Sequence, residues 1–272
     1  MLDGGAKINE KDRKCNTALI FAVGKNNIEL IQLLINRGAK INDKNNNGNT
    51  ALMNASAYGY LDIVQVLLKG GAEVDLRNKN ENTALLLASN QDNVRILAKL
   101  ITYGACINAQ DKNGNTPLIN ASSKGHIEIA ERLIEKGADV NTKNNEGKTP
   151  LMYAVMNGSS NLVSSLLSKG ADPEMRDNAR NTLLMLAILN RKTEMVDFLL
   201  DGVTDVNAKN DEGFTALMFA AMYTDMDTVN KLVAAGADVN LKNNKSLSAI
   251  ELASKRNNKR MAKGLKRFRR KT

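Results

Sequence analysis

A chain of 272 residues with a formal net charge of +9, two cysteines, one histidine and no tryptophan is poor in the groups that build metal and acid–base centres. It holds no apolar run near the about 18 residues of a membrane-spanning helix and no basic-then-apolar leader, so neither a span nor a secretory signal is expected.

A period of 33 residues governs the sequence. Ala22, Ala55, Ala88, Ala121, Ala154, Ala187, Ala220 and Ala253 keep it without insertion or deletion, as do a leucine from Leu34 to Leu265 and a hydroxyl from Thr17 to Ser248. A strict period of this size predicts a stacked solenoid in which each repeat buries its apolar face against its neighbours. Such regularity also argues against an enzyme, because sites that do chemistry break local rules. In chain order, residues 1–11 read as the tail end of a preceding partial repeat. Repeats follow over 12–44, 45–77, 78–110, 111–143, 144–176, 177–209 and 210–242, and 243–272 form a C-terminal capping repeat with a basic helix. No linker interrupts them, which predicts one continuous elongated domain.

The fourth repeat, DKNGNTPLINASSKGHIEIAERLIEKGADVNTK, shows the local logic. Asp111, Asn113 and Gly114 are turn formers. Thr116 stands where an N-cap belongs and Pro117 takes the first helical position, where no donor is lost. A short helix runs through Ala121 and breaks at Gly125-His126. Ile127, Ile129, Ala130, Leu133 and Ile134 then recur at the spacing of a second, amphipathic helix, which Gly137 ends as a left-handed cap. The sixth repeat departs most from this pattern, with Arg180, Arg191 and Val203-Thr204 in place of glycines or the Gly-Ala pair. Left-handed angles cost a non-glycine residue about 1 kcal/mol each, so this repeat reads as the weakest.

In the eighth repeat, Met261, Leu265 and Phe268 recur at i, i+4 and i+7, which predicts an amphipathic second helix. Lys266 replaces the Ile, Leu or Val of earlier repeats, as in a terminal repeat that turns a polar face to water. From Lys255 onward there are ten Lys or Arg and no acid, while the remainder is close to neutral. Capping explains the polarity of this helix but not its uniform sign.

The run DKNGNTPLINASSKGHIEIAERLIEKGADVN resembles the ankyrin repeat, and the same pattern covers Asp12 to the last residues. The resemblance implies an all-α solenoid of stacked helix-turn-helix pairs with projecting β-hairpin or turn fingers. It also implies a non-catalytic module that binds a protein partner on a concave face of fingers and first helices, with no cofactor. The family's usual His after Thr-Pro-Leu is apolar here at Ile20, Met53, Leu86, Ile119, Met152, Met185 and Met218, and is Glu251 in the last repeat. Packing thus replaces a polar network.

Apolar residues that the register leaves exposed are the candidate partner contacts: Tyr58, Met156, Phe214, Met222 and Tyr223. A basic residue precedes most fingers, at Lys44, Arg77, Lys143, Arg176, Lys209 and Lys242, and this stripe suits either an acidic partner or the turn beside it. Arg267, Arg269, Arg270 and Lys271 carry the alternative reading, an electrostatic binder of nucleic acid or anionic membrane. His126 has no convergent acid–base partners and reads as structural. Cys15 and Cys106, nearly three repeats apart, should lie about 25 Å from each other at the usual helix spacing. That exceeds the roughly 7 Å reach of a disulfide, so free thiols in the cytoplasm are expected. A zinc site lacks ligands, and a monomer is expected.

Overall fold

The computed structural model describes residues 7–202 and 205–269, among which there are sixteen helices and no strand. The chain groups into two compact units, Met1–Asp139 and Val140–Thr272, a division of which the unbroken 33-residue period carries no mark.

In the first unit, α1 (Ala18–Gly24) pairs with α2 (Ile28–Asn36), α3 (Ala51–Tyr58) with α4 (Leu61–Lys69), α5 (Ala84–Ser89) with α6 (Val94–Thr102), and α7 (Pro117–Lys124) with α8 (Ile127–Glu135). In the second, the pairs are α9 (Pro150–Asn157) with α10 (Ser160–Ser168), α11 (Leu183–Leu189) with α12 (Thr193–Leu200), α13 (Ala216–Tyr223) with α14 (Met226–Ala234), and α15 (Ala249–Lys255) with α16 (Lys259–Phe268). Within each unit the first helices pack against one another in chain order.

The periodic residues build this core. The eight alanines from Ala22 to Ala253 are fully buried, which keeps the first-helix layer thin enough for neighbours to approach. Leu67, Leu100, Leu133, Leu166, Leu232 and Leu265 are equally buried. A fully buried leucine contributes about 1.5–3 kcal/mol, so the second helices supply much of the stacking energy. The periodic hydroxyls act as expected. Thr17, Thr50, Thr83, Thr116, Thr149, Thr182 and Thr215 each accept the amide three residues on at 3.2 to 3.4 Å. Ser248 does so in a reciprocal capping box with Glu251.

The fingers are turns fixed by one side chain each. A single Oδ1 of Asp12, Asn45, Asn78 and Asp111 in the first unit, and of Asn144, Asp177, Asn210 and Asn243 in the second, accepts two amides, two and four residues on. Within each unit, successive fingers are joined by one backbone bond, as from the Lys79 amide to Asn47 O at 3.1 Å and from the Asp211 amide to Ala179 O at 3.0 Å. The Asn or Asp at this one position of every finger is therefore accounted for by its geometry.

The finger position that precedes the last turn residue is left-handed in every repeat. It holds Gly48, Gly114, Gly147 and Gly213, but also Cys15 at φ 58°, Glu81 at 62°, Arg180 at 60° and Ser246 at 58°. At Gly147 an added Cβ would lie 2.6 Å from the Asn178 amide nitrogen of the next finger, so there the glycine also serves a close approach. Arg191 is left-handed at φ 56°, as expected, but Asn26 and Asn257 match it at 52° and 59°. The sixth repeat thus shares its two strained positions with the first and the eighth. Val203 and Thr204 lie outside the described residues.

Candidate functional site

The finger and first-helix face of the first unit exposes two aromatic rings. Phe21 of α1 is 59% exposed and Tyr58 at the end of α3 is 56% exposed. They border a recess of about 300 Å³ with Asn16, Ile20, Lys25 and Asn54. The Lys25 ammonium stands 5.5 Å from the centre of the Phe21 ring, and Tyr58 leans on Tyr60 with ring centres 5.6 Å apart. The rings are held in place without being covered.

In the second unit the same face carries two register rows. Tyr153, Leu186 and Phe219 occupy one position of α9, α11 and α13, and Met156, Leu189 and Met222 occupy the position three residues on. Leu189 is 37% exposed and Met156, Met222 and Tyr153 are half-buried, whereas Leu186 and Phe219 are buried in the core. Phe214, on the finger before α13, stacks on Phe219 with ring centres 5.0 Å apart and an interplanar angle of 15°. Phe219 in turn lies 6.5 Å from Tyr223, and the Arg256 guanidinium caps that ring at 4.8 Å while donating to its hydroxyl at 3.1 Å. Packing and hydrogen bonding therefore preset these side chains, which lowers the entropy lost when a partner immobilises them.

Of the residues the sequence singled out in this unit, Phe214, Met222 and Tyr223 share one repeat, and Met156 stands in the row of Met222. Tyr58 lies in the first unit beside Phe21. Phe21, Leu189 and Phe219 escaped the sequence reading. Leu189 stands 33 residues from both Met156 and Met222, so the register itself was the available signal.

The basic stripe resolves into a ladder. The Lys44 ammonium donates to Arg77 O at 2.7 Å and the Arg77 guanidinium to Gln110 O at 2.7 Å. In the second unit Lys143 donates to Arg176 O at 2.8 Å, Arg176 to Lys209 O at 3.4 Å and Lys209 to Lys242 O at 2.8 Å. Each cation ties the base of one finger to the equivalent carbonyl of the next, a structural use that leaves its charge in place.

The histidine is also tied to its neighbours. His126 places Nε2 3.3 Å from Asn90 O and Nδ1 3.7 Å from an Asp92 carboxylate oxygen, a bridge to the preceding repeat. Cys15 and Cys106 are free. On the Tyr153 side, burial is the largest single influence on Lys148 and opposes its charge, but the bond to Glu146 at 2.7 Å together with the charges of Glu146, Tyr153 and Asp177 outweighs it and raises the pKa. At the C-terminal end the basic residues separate. Arg267 is exposed on the body of α16, whereas Arg269 caps the helix near enough to Glu251 to favour its ionised form. Arg270 and Lys271 lie outside the described residues.

No helix among the described residues is long and apolar enough to cross a membrane. None of the curated proteins matches the chain. The family described as ankyrin repeats (3 copies) matches residues 1–78, 69–144, 85–177, 151–243 and 184–268. Members of that family are in general protein–protein interaction modules, typically without catalysis. With matches over nearly its whole length, and the helix pairs, caps and fingers that the pattern demands, the chain belongs to the ankyrin-repeat family.

Proposed function

We propose that this chain is a non-catalytic binding module that holds a protein partner on the finger and first-helix face. The observation that carries the reading is the row of Met156, Leu189 and Met222 in the second unit, which repeats in register beside Phe214 and Tyr223, themselves backed by the buried Phe219 ring. Interfaces draw most of their energy from a few such anchors, aromatic rings and methionine prominent among them. In the first unit Phe21 and Tyr58 offer a second pair of anchors amid asparagine amides. A reducing compartment such as the cytoplasm suits the two free thiols.

The test is affinity selection of displayed peptides on the intact chain, followed by binding measurements on the selected sequences. Met156→Asp, Leu189→Asp and Met222→Asp together should weaken binding at least about tenfold with unchanged circular dichroism, since each buries a charge at the anchor row. Unchanged affinity would remove this face from consideration.

The alternative, binding of nucleic acid or anionic membrane through the basic C-terminal segment, has the exposed cations of α16 in its favour. Acids on the adjacent helices count against it.

A further inference from the structure

A groove runs along the outer side of the last two second helices, away from the anchor rows. Arg260, Lys263 and Arg267 stand at i, i+3 and i+7 of α16, so they share one face and span about 10 Å along its axis. With Met226 and Asn230 of α14 they line a groove of about 670 Å³. All three cations are exposed, and none makes an ion pair among the described residues.

The floor of the groove is apolar. Gly264 occupies the position held by Leu33 in the first repeat and Phe198 in the sixth, and a Cβ there would meet the Met226 Sδ at 2.7 Å. The Met226 side chain packs directly over Gly264 and, with Phe268, gives the groove its apolar lining.

The surface changes sign next to the groove. Lys231 of α14 is held between Asp197 at 2.8 Å and Asp227 at 3.0 Å, which leaves that trio with one net negative charge. Asp225 adds another, its carboxyl kept below the usual range by the Thr228 amide and hydroxyl. A long strand of nucleic acid or a flat anionic bilayer would bring its own charges onto these acids. A short segment with a few carboxylates around one apolar residue would not.

We propose that this groove docks a short acidic helical peptide segment of another protein. Carboxylates at i, i+3 and i+7 match the cations of α16, and one aliphatic side chain packs on the apolar lining of Met226 and Phe268. The site is separate from the anchor rows, so either can fail without the other.

The experiment titrates the full chain against a labelled helical peptide with Glu at i, i+3 and i+7 and Leu at i+4, at about 50 mM and about 200 mM salt. The peptide should bind and weaken severalfold at the higher salt. Arg260→Gln, Lys263→Gln and Arg267→Gln together should weaken it at least about tenfold, as should Gly264→Leu, which displaces Met226 from the apolar lining and leaves every charge in place. Both variants are checked for folding by circular dichroism, and Met222→Asp should bind the peptide as wild type does. Absence of peptide binding at low salt, wild-type affinity in either folded variant, or tighter binding to an oligouridine strand or to phosphatidylserine vesicles would overturn the proposal.

Discussion

Asn210 shows how much a single polar atom fixes in this protein. Its Oδ1 holds the amides of Glu212 and Phe214, so it sets both the finger and the ring that stacks on Phe219. Asn210→Ala should cost about 1–2 kcal/mol in urea unfolding, and Asn210→Asp, which keeps the Oδ1 acceptor but loses the Nδ2 donation to Asn181 Oδ1 at 3.0 Å, should fall between Ala and wild type. Glu251 behaves similarly at the last repeat. The Ser248 amide and hydroxyl hold its carboxyl below the usual carboxylate range. A folded pKa beneath the unfolded one means that this contribution is present at neutral pH and is lost as pH falls through the folded value. Carboxyl NMR should find Glu251 titrating below an ordinary glutamate, and Glu251→Gln should remove that part of the acid sensitivity. The hydroxyl caps were legible in the sequence because Thr116-Pro117 has one local meaning. The role of Lys44 and Lys209 was not, because the acceptor of each is a carbonyl one full repeat away.

At the scale of the element, α16 separates stability from charge. Met261, Ala262 and Leu265 are buried while Lys263, Lys266 and Arg267 are exposed. Leu265→Ala should destabilise by about 2–5 kcal/mol, and Arg267→Gln by less than about 0.5 kcal/mol, in the same thermal or urea measurement. The i, i+4, i+7 spacing revealed this helix and its buried side, although Phe268 is only half-buried. The groove was not legible, since Gly264 reads as a blemish in a helix until Met226 is seen against it. The aromatic stack has a related lesson. Phe214 was singled out as exposed, yet its contact with Phe219 makes it part of the fold, so Phe214→Ala should cost stability beyond its lost area by about 0.5–1.5 kcal/mol. Met222, without a stacking partner of this kind, is the cleaner probe of binding.

For the whole molecule, stability is nearly a sum over repeats and their neighbours, so a strained repeat can open locally. Arg180 and Arg191 place the sixth repeat in that class, whereas the other repeats with two such positions are the first and the eighth. Hydrogen exchange away from the ends should therefore be fastest over residues 177–209, and uniform protection from 144 to 242 would contradict this. The helix pairs were legible because eight copies of one pattern average out local ambiguity. The grouping into two compact units was not, because no linker or change of period marks Asp139. The central claim, a protein partner seated on the finger and first-helix face, is tested most directly by photo-crosslinking in cells. A photoreactive residue is placed at Leu189 or at Glu194, which is exposed on α12. Leu189 should give a discrete protein adduct that disappears when Met156 and Met222 are changed to Asp, while Glu194 gives none. Adducts of equal yield from both positions, or persistence of the Leu189 adduct in that variant, would contradict the account.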